Sequence, residues 1–207
     1  MTLDDRLQQG ITQLNLSVPS TLHAQLLAYI TLLDKWNHAY NLTAVRDITQ
    51  MIPKHLLDSL AIAPHVRGIN VLDVGTGAGL PGLILAMARP ELQCVLLDSN
   101  KKKTRFVQQV VLELGLKNVT VVSARIENFK PPHLFDTVTS RAYTNLKRFY
   151  QQTIGFCAPQ GQLLAMKGVF PETELDELQD VKANIQTKSI EVPQLNAERH
   201  IVLIEPC

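Results

Sequence analysis

The sequence is poor in features that mark several protein classes, and each shortage excludes something. Cysteine occurs three times in 207 residues, at Cys94, Cys157 and Cys207, and so odd and widely spaced a set fits neither a disulfide framework nor a zinc cluster. Such usage suits a reducing compartment. The six histidines show no ligand spacing, so no metal is expected. No window approaches the roughly 20 apolar residues of a membrane span, and the opening "MTLDDRLQQG" lacks the apolar run of a signal peptide. A cytoplasmic protein without a membrane partner is expected. The net charge of +1 makes no case for a nucleic-acid partner, so any such reading must rest on where the charges lie. Repeats and low-complexity tracts are lacking as well. The length suits one α/β domain plus an extra segment, burying roughly 70% of the surface an unfolded chain exposes.

What is present falls into two textures. From Ser20, a candidate N-cap, Leu22, Leu26, Ile30 and Leu33 recur at helical spacing until "WNHAYNLTAVRD" breaks the pattern and "ITQMIPKHLLDSLAIAPHV" resumes it. Residues 1–67 are therefore expected to form a helical N-terminal extension, compact with the domain that follows over 68–207. In that second part, seven β-rich runs alternate with amphipathic stretches: "NVLDVG", "QCVLLD", "NVTVVSA", "FDTVTSRA", "GQLLAMKG", "KSIEVPQ" and "RHIVLIEP". Helices are expected over about 80–89, 101–115, 125–129, 145–157 and 172–184. Such alternation predicts right-handed βαβ units and a mainly parallel sheet, while the short turn Leu195 to Ala197 predicts an antiparallel final pair. Ligands of such sheets sit at the carboxyl ends of the strands.

At the end of the first strand stands "GTGAGLPG", whose segment from Gly77 to Gly82 matches the dinucleotide fingerprint G-x-G-x-x-G. That match alone is weak. Gly75, Gly77 and Gly79 permit positive φ and let backbone approach a ligand, and Pro81 suits a first helical turn. Asp98 ends the second strand about 20 residues on, where a carboxylate can accept hydrogen bonds from ribose hydroxyls. A carboxylate at Asp73 aimed toward the loop would repel a pyrophosphate yet suit a cationic ligand; the alternative is a buried Asp paired with backbone.

Here the residues carry a resemblance. "DVGTGAGLPG" with "LLDS" resembles the S-adenosylmethionine-binding half of the class I methyltransferases. The ordered set "KWNHAYNLTAVRD", "HLLDSL", "DVGTGAGLPG", "LLDSNKKKTRF", "SRA", "MKG" and "ERH", from residue 35 to residue 200, is similar to the bacterial small-subunit ribosomal RNA guanine-N7 methyltransferases, the RsmG or GidB family. The resemblance implies a Rossmann-like, seven-stranded, mostly parallel sheet with an antiparallel C-terminal hairpin. It implies S-adenosyl-L-methionine as cofactor and methylation of N7 of guanine 527 in a loop of 16S ribosomal RNA, naked or within the small subunit. By matching motif it also implies cofactor contacts from Gly75, Leu80, Ile126, Glu127 and Arg141, beside Asp73, Gly77, Gly79, Asp98 and Ser99 of the glycine loop and second strand. Gly75, Asp98, Ile126, Arg141 and Lys167 independently fall at or just past the carboxyl ends of expected strands. The chain departs from the family at Lys102 and Lys103, where Lys-Arg is frequent, which removes a planar guanidinium.

Missing motifs narrow the chemistry. The place after the fourth strand reads "SRAY" and not the Asp or Asn-Pro-Pro-aromatic element of amine methyltransferases, and no cysteine lies at a strand end as pyrimidine C5 chemistry requires. A purine N7 carries a free lone pair, so its attack needs alignment and no general base. Arg141 and Lys167 are the candidate catalytic residues, with Arg141 expected to orient the cofactor or donate to O6 or phosphate, because a donor on N7 would occupy the nucleophile. N7 lies in the deep groove of A-form RNA, so the target must be in a loop or flipped out.

For RNA, the candidates are Lys102, Lys103 and Arg105 of "NKKKTRF", together with Arg199 and His200 of "ERH". Lysines opening a helix oppose its dipole, so either phosphates or solvent must compensate. Asn37, Asn41 and Thr43 either cover the cofactor pocket or end a helix. His55 and Asp58 are spaced for a local pair, and "ETELDELQD" reads as a solvated face remote from RNA. A monomer is expected. Two alternatives stay open: a nicotinamide-dependent oxidoreductase, and a non-catalytic RNA-binding protein.

Overall fold

The computed structural model describes residues 2–131 and 133–206, so Cys207 lies outside the described residues. Helix α1 (Leu3–Leu14) opens on a capping box: Thr2 Oγ1 accepts the Asp5 N–H at 3.1 Å, and Asp5 accepts the Thr2 N–H at 3.0 Å. Helix α2 (Leu22–Tyr40) buries Leu22, Leu26, Ile30 and Leu33 along one stripe, as their spacing predicts. Its N-cap is Thr21, without a capping side-chain bond, and Ser20 stands outside the helix. Helix α3 (Ile48–Met51), a π-helical turn (Ile52–Leu57) and helix α4 (Asp58–Leu60) then run on without a break. Pro53 has no N–H for a regular i to i−4 ladder, and the wider turn rotates His55 and Asp58 to new directions.

Seven strands form one sheet: β1 (Asn70–Val74), β2 (Gln93–Asp98), β3 (Val119–Ser123), β4 (Phe135–Arg141), β5 (Cys157–Lys167), β6 (Ala183–Ser189) and β7 (His200–Pro206). Their spatial order is β3-β2-β1-β4-β5-β7-β6. The first five are parallel, and β7 runs antiparallel between β5 and β6. Helices α5 (Gly82–Ala88), α6 (Lys101–Glu113), α7 (Leu146–Thr153) and α8 (Glu172–Asp176) complete the fold, with a 3-10 turn at Ile126–Asn128.

The elements match the sequence reading except at β5, which already begins at Cys157 because α7 ends at Thr153 and a 3-10 turn follows it, and near the end of the chain. The strand expected over 188–194 lies at 183–189, where Ala183, Ile185 and Thr187 alternate with exposed neighbours; Pro193 cannot donate to a ladder and falls in the connection. The link to β7 is correspondingly the ten residues 190–199, and not a tight turn at 195–197. Helix 172–184 shrinks to α8, because Leu178 turns into the core, only 1% exposed, within the turns that follow it.

Strand alternation splits the interior in two. Val71, Leu96, Leu164, Ile201 and Leu203 face a cluster built with α1, α2, α5 and α6, whereas Leu72, Leu97, Val138, Leu163 and Ile204 face one built with Phe149 of α7 and Leu178. The N-terminal helices thus share one continuous core with the sheet face that also carries Asp73.

Candidate active site

The neighbours of β1 are β2 and β4, so the connections leave it in opposite directions, and a crevice opens beyond the carboxyl ends of these strands. Gly75, Gly77 and Gly79 all have positive φ, at 69°, 60° and 89°. At Gly75 the need is also steric, since a Cβ would stand 2.6 Å from the Tyr143 ring. One cavity of about 430 Å³ lies there, lined by Gly75, Asp98, Ser99, Ile126 and Glu127. These five expected cofactor residues are brought together by three different strand ends.

Four more expected cofactor residues, Asp73, Gly77, Gly79 and Leu80, do not line that cavity. Asp73 is wholly buried beneath the loop: Oδ2 accepts the Thr76 hydroxyl at 2.6 Å and the Gly82 N–H at 2.9 Å. The expectation that its carboxylate meets a ligand cation gives way to a tie across the glycine loop. The cause is strand alternation, which sends Asp73 to the α5 side with Val71. Burial pushes its carboxyl up to about 6, against the two hydrogen bonds. Gly77 is held at the cavity's rim by Asp98, whose Oδ2 accepts its N–H at 2.9 Å while Oδ1 accepts that of Asn100 at 2.8 Å.

The cavity also contains residues that sequence reasoning did not place there. Lys103, expected among the RNA contacts, lines it from the first turn of α6; Arg125 before the 3-10 turn, Tyr143 after β4 and Arg148 of α7 line it too. Tyr143 donates to Gln152 Oε1 at 3.0 Å, and Gln152 Nε2 donates to Glu127 at 3.3 Å, which fixes both walls of the opening. Position at strand ends was the available signal: Arg125 precedes Ile126, and Tyr143 follows "SRA".

A second cavity of about 360 Å³ adjoins the first, and Ala142 lines both. Ala142 carries φ 52°, a left-handed conformation that costs a non-glycine residue roughly 1–2 kcal/mol and marks the partition. Arg141, Lys167 and Arg199 converge here with His55 and Asp58. Asp58 bridges the arginines: Oδ1 accepts from Arg199 Nε at 2.8 Å and Oδ2 from Arg141 Nη1 at 3.3 Å. Arg141 therefore turns away from the cofactor cavity expected of it, and His55 and Asp58 do not pair with each other. His55 Nδ1 meets the Lys54 carbonyl at 2.9 Å and Nε2 the Thr43 hydroxyl at 2.9 Å, an arrangement satisfied by the Nδ1–H tautomer. Burial, then Arg141, draws its pKa down to about 4.

The acidic run is not remote from this site. Glu174 reaches Lys167 Nζ at 2.7 Å and accepts the Leu146 N–H, which opens α7, at 2.7 Å. Favourable charge at a helix start and an ion pair together outweigh full solvation. His200 pairs with Lys167 in the β5–β7 ladder, outside the cavity lining, and Lys102 and Arg105 project into solvent from α6. Asn37, Asn41 and Thr43 tie down the loop after α2, which reaches the second cavity at Val45: Asn37 Oδ1 accepts the Thr43 N–H at 2.9 Å. Burial pushes the Cys94 thiol up to about 12 and the Cys157 thiol to about 11, and neither lines either cavity. Among the described residues, no group of three or more His, Cys, Asp or Glu could hold a metal, and no helix is long and apolar enough to cross a membrane.

This strand order, with its glycine turn after β1 and its carboxylate at the end of β2, is the fold of the class I methyltransferases. Solved structures of that class match it. The plantazolicin methyltransferase BpumL in complex with SAH matches at TM-score 0.63 and 10% identity over 89% of this chain and 97% of that one. A SAM-dependent methyltransferase from Aquifex aeolicus matches at 0.58 and 20% over 86% and 96%. The profile of the family described as rRNA small subunit methyltransferase G matches residues 22–202, and the chain belongs to that family. The proteins named ribosomal RNA small subunit methyltransferase G are 49% identical over 200 residues in Nitrosococcus oceani (97% of this chain, 94% of the relative) and 47% over 206 residues in Neisseria meningitidis serogroup B (99% of each). Neither the oxidoreductase nor the non-catalytic alternative finds support in these matches.

Proposed function

We propose that this protein transfers a methyl group from S-adenosyl-L-methionine to N7 of a guanine in 16S ribosomal RNA, guanine 527 by family resemblance. The single observation that carries the reading is the pair of adjoining cavities divided by Ala142, one with a carboxylate above a glycine turn, the other lined by convergent cations. The donor suits the first. Its volume lies within the range of small-molecule sites. Each Asp98 oxygen spends one lone pair on backbone and keeps acceptor capacity for ribose hydroxyls, while Leu97 and Ile126 give apolar surface for a base. Gly75 lets the Tyr143 ring close over the strand end as a wall of the cavity, and Glu127 adds an acceptor. When bound, the donor supplies an electrophilic methyl on a sulfonium.

The chain's residues then have three tasks. Arg141, Lys167 and Arg199 bind the target nucleotide, donating to phosphate or to guanine O6 and leaving N7 unprotonated and free. Asp58 and Glu174 fix their directions, so little side-chain freedom is lost on binding. No residue need remove a proton, and alignment of two held reactants supplies about 7–11 kcal/mol of barrier reduction in favourable cases. The raised thiols of Cys94 and Cys157 are in keeping with a reaction that forms no covalent enzyme adduct.

The test is incubation of unmodified 16S ribosomal RNA and of small subunits with labelled donor, followed by borohydride and aniline, which cleave at N7-methylguanine. Incorporated label with cleavage at one guanine is expected. Label without cleavage moves the reaction to another atom and overturns the reading.

A further inference from the structure

Beyond Lys167 and Gly168 the chain turns outward, and its two next residues are apolar and unusually bare. Val169 is 72% exposed and Phe170 51%. They follow directly on Lys167 and Gly168, which both line the second cavity, and so stand next to it. The Phe170 ring is not loose: it meets the His200 ring at 5.6 Å between centroids with planes 82° apart. His200 is itself fixed opposite Lys167 in the β5–β7 ladder. An aromatic ring is thus braced on its neighbour and half presented to solvent, beside the cations Lys167 and Arg199.

Two side chains are far too small an area for a protein partner, which needs about 800 Å² on each side. A ring with adjacent cations is instead the surface that holds unpaired nucleic acid, where bases stack on aromatics while phosphates meet lysine and arginine. We propose that Phe170, with Val169 beside it, is a stacking platform for the nucleobase next to the target guanine in a single-stranded loop. This rests on the RNA reading of the neighbouring cavity and assigns a second base-binding position to it. A target base drawn into the second cavity leaves its chain neighbour unstacked next to it, and Phe170 replaces the lost partner.

The test uses full-length protein and 16S ribosomal RNA, with the RNA KM and the affinity for S-adenosylmethionine measured separately. Phe170→Ala is expected to raise the RNA KM about tenfold, the size of one lost stacked base, without changing donor affinity. Phe170→Leu is expected to be equally poor, whereas Phe170→Trp restores the wild-type KM. An unaffected alanine variant, or a leucine variant as good as wild type, overturns the platform while leaving the methylation reading in place. Loss of donor affinity in Phe170→Ala also overturns it, by assigning the ring a structural role. A wild-type protein that transfers no methyl to the RNA removes both proposals together.

Discussion

Two buried titratable residues flank the site with opposite pH signatures. His55 is drawn down to about 4 from 6.5, so it remains neutral in the folded protein while the unfolded chain takes up a proton as pH falls below 6.5. That contribution to stability is present above about pH 6.5 and is lost toward pH 4. Asp73 is raised to about 6 from 3.8, so its contribution is fully present below about 3.8 and is lost as pH rises through 6. Between pH 4 and 6 the two slopes cancel in the wild type. Relative to it, Asp73→Asn should lose stability as pH drops through this window and His55→Gln should gain it, read as urea midpoints at both ends. At the same scale, Asp98→Ala is expected to weaken donor binding by at least tenfold in calorimetry, since it removes the ribose acceptor and frees the Gly77 N–H. Arg199→Ala should bind the donor normally and turn over slowly; equal donor affinity in wild type and both variants would refute the ribose assignment.

At the scale of elements, the helical extension helps to build the candidate site, through the glycine loop and through His55 and Asp58 in the second cavity. Tyr29 of α2, wholly buried, donates its hydroxyl to the Ala78 carbonyl in the glycine loop at 2.9 Å. Tyr29→Phe leaves that carbonyl unpaired and is expected to cost about 1–3 kcal/mol in denaturant unfolding while weakening donor binding several-fold. Asp58, placed by the π-helical turn, orients Arg141 and Arg199 together. Asp58→Ala should slow methyl transfer at unchanged donor affinity and destabilise by up to about 3 kcal/mol. These links define what could be read from the chain alone. The glycine loop, Asp98 and Ile126 were legible because each lies at a strand end and strand periodicity is local. Asp58 with Arg199, 141 positions apart, was not, since nothing local to "HLLDSL" says which distant cation it meets. The acidic run misled for the same reason: its composition is that of a solvated helix, and only the packed structure reveals that Glu174 faces Lys167. Asp73 was legible as a buried strand residue, but its partners depend on how α5 folds back over β1.

For the whole molecule, a net charge of +1 means that RNA affinity must come from local clusters and not from the overall field. Binding should weaken with salt along a shallow logarithmic slope, and each phosphate-contacting cation removed should reduce that slope by about 0.7 on single-stranded RNA. Lys102→Ala and Arg105→Ala test whether the exposed face of α6 contributes; an unchanged slope assigns it to solvent. The division at Ala142 has a kinetic corollary. Apart from Ala142 the two cavities share no lining residue, so neither needs the other filled to be complete. Loading without a compulsory order is therefore expected, and calorimetry checks it: the methyl donor and the RNA should each bind the free protein in the absence of the other.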